Sequence, residues 1–235
     1  MRNNFIKSDY HLSSCESMEH YCIDAVPLFQ SLTIQQKGQL HSLIQYKHYA
    51  RGETIYSPGQ TADSLYVLNS GRLRVYRLAD TGKEQLIRIV NQGEFTGELA
   101  LFKKGTYEAF TEALTDCCIC AIKHSDFRAL LIQYPLISIE MLSVFAQRLG
   151  TSEQQTAWAT TETVKDRLLH FLISLVDSTE EEPIVELNMA KKDLASYLGT
   201  TSESLSRELA RLEKENIIKE IAYGKIKLFN FDSII

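Results

Sequence analysis

Six turn signals, Arg51-Gly52, Pro58-Gly59, Asn69-Ser70-Gly71, Thr81-Gly82, Gln92-Gly93 and Lys104-Gly105, cut residues 44–122 into short runs rich in Val, Ile, Leu and Tyr. Punctuation this dense leaves no room for helices of ordinary length, whereas short strands fit between the turns. Apolar and polar side chains alternate in Ser64-Leu65-Tyr66-Val67-Leu68 and again in Arg72-Leu73-Arg74-Val75-Tyr76-Arg77-Leu78, so each run has two distinct faces. Many strands in one block predict an antiparallel sandwich or barrel of the jelly-roll kind.

After Asp126 the period changes. Phe127, Leu130, Leu131 and Tyr134 recur at helical spacing as far as Pro135, which can begin a helix but not continue one. A long helix follows, with Leu136, Ile139, Leu142, Phe145 and Leu149 forming a stripe at spacings of three and four that continues less hydrophobically to Trp158. Two covers for that stripe are open: the helix of a second copy, or the rest of its own domain. A further helical pattern, Val164, Leu168, Phe171, Leu172 and Leu175, follows the Thr160-Thr161-Glu162-Thr163 break and ends in a polar turn at residues 177–183.

The chain has 235 residues, of which 44% are hydrophobic, enough for one large or two modest cores. Its formal net charge of -5 excludes a polybasic protein that holds phosphates by bulk charge, so any DNA-binding surface has to be local. Residues 188–235 carry eight Lys or Arg against seven Asp or Glu, which makes the C-terminal part the less acidic one. The first residues contain no apolar signal segment, and no run approaches the ~20 apolar residues of a membrane span. A cytoplasmic protein without a membrane partner is expected. There is no Ser-His-Asp pattern, P-loop or dinucleotide fingerprint, so it is not expected to be an enzyme.

The segment from Lys191 to Leu209 reads as a helix-turn-helix. Ala195 is small where a second helix has to pass closely, and Gly199 supplies the tight turn. Leu194, Leu198, Leu205, Leu209 and Leu212 tie the two helices to a core, which leaves Ser202, Glu203, Ser206 and Arg207 on the outer face as polar groups suited to base edges. Ile217-Ile218-Lys219-Glu220-Ile221 and Lys225-Ile226-Lys227-Leu228-Phe229 flank Ala222-Tyr223-Gly224 as a hairpin, the wing of a winged helix. Thr200-x-x-Glu203 fits a capping box that would occupy Glu203; with Thr201 as N-cap, Glu203 is free for DNA. Arg207 could also pair with Glu203 on the same face.

A sandwich, a long helix and a winged helix-turn-helix in this order resemble the bacterial CRP/FNR transcription regulators over nearly the whole chain. Glu203-x-x-Ser206-Arg207 matches the FNR-type recognition pattern. The resemblance implies an α+β chain with an N-terminal jelly-roll sensor similar to cyclic-nucleotide-binding domains. It also implies a homodimer on TTGA-type inverted repeats, with double-stranded DNA and RNA polymerase as partners. Arg207 would then be bidentate to a guanine, Glu203 would accept from an exocyclic amine, and Ser206 would lie near a thymine methyl. The expected organisation is a Cys-containing N-terminal segment (1–25), the jelly roll (26–134), a dimerisation helix (135–160) carrying Leu136, Ile139, Leu142, Phe145 and Leu149, and the winged helix (161–235).

Cyclic-nucleotide-binding members hold the ligand phosphate through an Arg-Ser pair after a Gly-Glu-Leu. This chain keeps Gly97-Glu98-Leu99 but reads Glu108-Ala109 at the pair. A carboxylate repels a phosphodiester, so cyclic AMP is disfavoured, with Gly97 and Glu98 retained for the turn; another small molecule in the sandwich remains an alternative effector. The five cysteines, an odd and uneven set, suggest a different sensor. Cys15 and Cys22 lie near the N-terminus, and on one candidate strand Cys118 and Cys120 share a face while Cys117 takes the other. FNR proteins resemble this layout, with an N-terminal cysteine group and a central cysteine that ligate an iron-sulfur cluster; Cys15, Cys22 and Cys120 would be the counterparts here. The family's N-terminal group has three cysteines and this chain two, so a cluster would have to recruit Cys118 or Cys117, whereas a dithiol switch needs only two cysteines and no cofactor. Zinc at Cys15, His20 and Cys22 matches no common finger. Cys117 reads most simply as a small core hydrophobe.

Overall fold

The computed structural model describes residues 23, 26–102, 105–176 and 182–229. Among these, the chain enters through a 3-10 turn at Pro27–Phe29 and helix α1 (Ile34–His41), which Thr33 and Gln36 close with a capping box. Strands β1 (Ile44–Tyr49), β2 (Thr54–Tyr56), β3 (Ser64–Ser70), β4 (Leu73–Leu78), β5 (Glu84–Val90) and β6 (Phe95–Thr96) follow. A short helix α2 (Leu99–Phe102) then leads to β7 (Phe110–Ala113) and β8 (Cys117–Lys123). Two four-stranded sheets result, ordered β1-β8-β3-β6 and β2-β7-β4-β5, which is the jelly-roll order that the turn spacing predicts.

The period change at Asp126 is real. Helix α3 (His124–Gln133) stops before Pro135, and α4 (Pro135–Thr161) begins at it. With 27 residues, α4 is about 40 Å long. Helix α5 (Val164–Ser174) starts at Thr163, whose hydroxyl and the Asp166 carboxylate form a second capping box. The C-terminal part holds β9 (Ile184–Glu186), α6 (Lys191–Tyr197), α7 (Ser202–Lys214), β10 (Ile218–Ala222) and β11 (Lys225–Leu228), with the strands ordered β10-β11-β9. No single helix among the described residues is long and apolar enough to cross a membrane; α3 and α4, apolar enough only together, bend by 111° where they meet.

The chain forms two compact units. One comprises the residues up to Arg77 with Arg88–Ala146, the other Leu78–Ile87 with Gln147–Ile235. In the first, a core cluster unites Ile23, Val26, Leu28 and Phe29 with Leu65, Val67, Cys120 and Ile122 of the sheet and with Phe127, Ile137 and Met141 of the helices. Phe127 is fully buried and meets Phe29 edge-on with ring centroids 6.5 Å apart. In the second, Leu168, Phe171 and Leu172 of α5 pack with Leu194, Leu198, Leu205, Leu209 and Leu212 of the helix pair. Residues 78–87 of the β4–β5 hairpin thus group with the unit that carries the helix-turn-helix, although β4 and β5 are strands of a jelly-roll sheet.

The stripe on α4 divides. Leu136, Ile139, Leu142 and Leu149 are 57%, 57%, 63% and 61% exposed. Phe145 is turned inward, packing edge-on against Phe95 and Phe102 at centroid distances of 6.5 and 5.9 Å. Simple i, i+3, i+4 counting cannot separate these positions, because a stripe this wide faces two directions at once. In the single protomer, at a concentration too low for self-association, Phe145→Glu is therefore expected to lower the unfolding free energy by roughly 1–3 kcal/mol for a carboxylate set against Phe95 and Phe102, while Leu142→Glu, open to solvent within the protomer, changes it little. Equilibrium denaturation of both variants checks this; equal effects would refute the division.

Candidate functional site

The helix-turn-helix is set by three local devices. Gly199 adopts φ +68, a conformation costly for other residues, and its N–H donates to the Ser196 carbonyl at 3.1 Å. The Thr200 N–H then donates to the Ala195 carbonyl at 2.9 Å, so Thr200 belongs to the turn. Thr201 is left as N-cap of α7, its hydroxyl accepting from the Ser204 N–H at 3.2 Å. The alternative cap at Thr200 is thereby excluded, and Glu203 is released from capping.

Leu205, Leu209 and Leu212 are buried, and Ser202, Glu203, Ser206 and Arg207 all lie exposed on the opposite face of α7. The Arg207 guanidinium donates to Ser204 Oγ at 3.3 Å, so its contact on the helix is with Ser204 and not Glu203. Ser206 donates to the Ser202 carbonyl at 2.8 Å and borders a cleft of about 190 Å³ shared with Lys191, Glu213, Glu220 and Ile226. The wing, β10 and β11, turns through exposed Tyr223. A third strand, β9, pairs with β11 and was not legible in the sequence, since only Ile184, Val185 and Glu186 form it.

Cations near this face are engaged with carboxylates. Lys191 meets Glu220 at 2.8 Å, Lys227 meets Glu182 at 2.6 Å, and Lys225 meets Glu186 at 3.7 Å. Lys165 donates to Glu215 at 2.7 Å and Arg211 reaches it at 2.9 Å, and these two cations, Lys165 first, hold the Glu215 carboxyl below its usual range. Residues 188–235 are close to neutral in sum, and a phosphate meeting Lys191, Lys225 or Lys227 would have to displace a carboxylate.

In the sandwich, Gly97 has φ +87, and a Cβ there would lie 2.8 Å from the Ser64 carbonyl oxygen, so the turn requires glycine. Glu98 does more than hold that turn: it is buried and ion-paired with Arg88 at 3.1 Å. Glu108 pairs with Arg77 at 3.0 Å. Tyr56, Tyr66 and Tyr107 are buried together, the Tyr56 and Tyr107 rings stacked with centroids 4.0 Å apart. Burial raises the Tyr56 and Tyr107 hydroxyls above the ordinary phenol range, so both stay protonated.

All three cysteines of β8 are buried. Cys120 faces the core cluster that contains Ile23, while Cys117 donates to the Arg72 carbonyl at 3.3 Å. Burial raises the Cys117 thiol, which suits a structural and unreactive cysteine. Cys118 and Cys120 are each disulfide-bonded, and Cys117 is the free thiol among the described cysteines. Cys15, His20 and Cys22 lie outside the described residues.

Comparison with known proteins agrees with both units. The cyclic nucleotide-binding domain family matches residues 46–134, and the Crp-like helix-turn-helix domain family matches residues 166–233. The chain is 35% identical over 217 residues to the probable transcriptional regulator flp of Lacticaseibacillus casei, covering 92% of this chain and 98% of that one. It is 28% identical to the cAMP-activated global transcriptional regulator CRP of Salmonella typhimurium over 75% of this chain and 85% of that protein. In structure it is similar to CooA from Carboxydothermus hydrogenoformans, with a TM-score of 0.76 at 21% identity over 86% of this chain and 90% of that one, a likeness of fold.

The capping geometry makes a separable test. Thr201→Ala is expected to destabilise the protein by about 1 kcal/mol through loss of the cap, whereas Glu203→Ala stays within about 0.5 kcal/mol of the parent. Chemical denaturation reads both; a large cost at Glu203 would return it to the cap.

Proposed function

The chain belongs to the CRP/FNR family of DNA-binding transcription regulators, and from that premise we propose that two copies read an inverted repeat of TTGA-type half-sites through Glu203, Ser206 and Arg207. The observation that carries this reading is the outer face of α7, where these three side chains and Ser202 are exposed while Thr201 alone takes the cap. Arg207 offers two parallel donors to guanine O6 and N7, Glu203 accepts from an exocyclic amine, and Ser206 lies beside a thymine methyl. Ser204, which Arg207 already touches, orients the guanidinium. The second copy covers Leu136, Ile139, Leu142 and Leu149, whose exposure along α4 supports a helix-to-helix contact. RNA polymerase is the further partner, and the cytoplasm the location, that the family reading carries.

The signal in this reading is oxidation. Cys15 and Cys22 pair with Cys118 and Cys120, each pair of thiols giving up two protons and two electrons to a cellular oxidant as its S–S bond forms. Support comes from the disulfide-bonded state of Cys118 and Cys120 and from Ile23, next in the chain to Cys22, which is 3% exposed in the same cluster as Cys120. Two α-carbons have to come within ~7 Å for such a bond. An iron-sulfur cluster would take Cys15, Cys22 and Cys120 and would need Cys118 as its fourth thiolate, because Cys117 is hydrogen-bonded to Arg72. The dithiol chemistry fits these residues better.

A small-molecule effector is the second reading, favoured by the polar groups among the buried tyrosines: Thr96 bonded to Tyr56, and the Arg88–Glu98 pair. Cyclic AMP fits poorly, since Glu108 brings a carboxylate to the position where a phosphate donor is needed.

Arg207→Ala is expected to cost ~1–3 kcal/mol per half-site and to remove preference for the guanine without changing stability. Gel-shift titration on matched and mutated palindromes decides, and an unchanged guanine preference overturns the assignment. Leu142→Glu should sediment as a monomer. For the signal, wild type is expected to change DNA affinity between reduced and oxidised states, and Cys22→Ser with Cys120→Ser to lose that response. Unaltered affinity in wild type whose thiol count has changed would favour the small-molecule reading.

A further inference from the structure

Within the second unit, one serine holds two backbone groups of the β4–β5 hairpin. Ser196, on the outer side of α6, donates its hydroxyl hydrogen to the Glu84 carbonyl at 2.8 Å and accepts from the Leu86 N–H at 2.7 Å. A hydroxyl has one donor and two acceptor positions, and here it completes the free edge of β5, the outermost strand of its sheet. The Gln85 side-chain amide donates to the Ser196 carbonyl at 2.9 Å. One helical turn earlier, Lys192 lies 3.7 Å from the Glu84 carboxylate. Four interactions thus fasten Glu84, Gln85 and Leu86 along the face of α6 that carries Lys192 and Ser196.

That face has another claimant. In a helix-turn-helix the first helix crosses the DNA backbone while the second enters the groove, so a lysine on the first helix is placed for phosphate. Residues 78–87 carry Asp80 and Glu84 against Lys83 alone, so the fastened hairpin brings net negative charge to α6 and occupies Lys192. A phosphate and the hairpin would draw on the same lysine.

We propose that the β4–β5 hairpin is an autoinhibitory latch on the helix-turn-helix, closed by Ser196 and by the Lys192–Glu84 pair, and that opening it raises affinity for DNA. The latch rests on DNA binding through α6 and α7 but not on the identity of the half-site. It acts on phosphate contact, so releasing it tightens all sequences alike. It also leaves a structural signature, since the Leu86 amide is protected from exchange only while Ser196 accepts from it.

The test compares wild type, Ser196→Ala and Glu84→Gln in titrations of a TTGA-type palindrome and of a scrambled duplex at one salt concentration, with amide exchange at Leu86 read by NMR. Losing one or two net hydrogen bonds predicts about five- to tenfold tighter binding by Ser196→Ala on both duplexes. Glu84→Gln, which keeps the backbone clasp, gives a smaller gain that fades at high salt. Leu86 exchange should accelerate in Ser196→Ala and in DNA-bound wild type. Unchanged or weaker DNA affinity in a folded Ser196→Ala protein with accelerated Leu86 exchange overturns the latch, as does full Leu86 protection in the wild-type complex. A wild type that treats palindrome and scrambled duplex alike defeats the half-site reading instead, and the scrambled duplex still reads the latch.

Discussion

Strand β8 is the constraint on which the first unit depends. It pairs with β1 on one edge and β3 on the other, and all its residues from Cys117 to Ile122 are buried, so both of its faces are covered. Its alternation then assigns every residue a task. Cys118, Cys120 and Ile122 share one face, with Cys120 and Ile122 in the cluster of Ile23, Val26, Phe127 and Ile137, whereas Cys117 points the other way and is bonded to Arg72. Shifting the register by one residue would exchange these roles, turning Cys117 toward the cluster of Val26, Phe127 and Ile137 and turning Cys118 and Cys120 away from it.

In the second unit the equivalent role falls to the turn at Gly199. Its positive φ sends Thr200 back to Ala195, moves the cap to Thr201, and so decides which side chains of α7 are outward. A cap one residue earlier would tie Glu203 to the backbone and take its carboxylate off the exposed face.

Periodic features of this fold were legible in the sequence. The turn dipeptides between residues 44 and 122, the break at Pro135 and the Ala195–Gly199 spacing each follow from local backbone chemistry, and each is present in the structure. Features that depend on meeting a distant partner were not legible. Phe145 belongs by spacing with Leu142 and Leu149 yet finds Phe95 and Phe102. Glu98 reads as a turn residue yet carries a buried pair with Arg88. Strand β9 is three residues long, too short for any periodicity, and exists because β11 offers it an edge.

The carboxylates that hold Lys191, Lys225 and Lys227 also govern how the protein finds a site on a chromosome. Beyond a Debye length of about 8 Å, a duplex meets a molecule of formal charge -5, and the long-range attraction that speeds encounter is weak. Lingering on random sequence is shortened too, because a phosphate contact at Lys191, Lys225 or Lys227 begins with the loss of an internal ion pair. Search is then made of many brief collisions instead of long slides. Contrast between sites then has to come from contacts other than these lysines, and it is gained at the cost of speed.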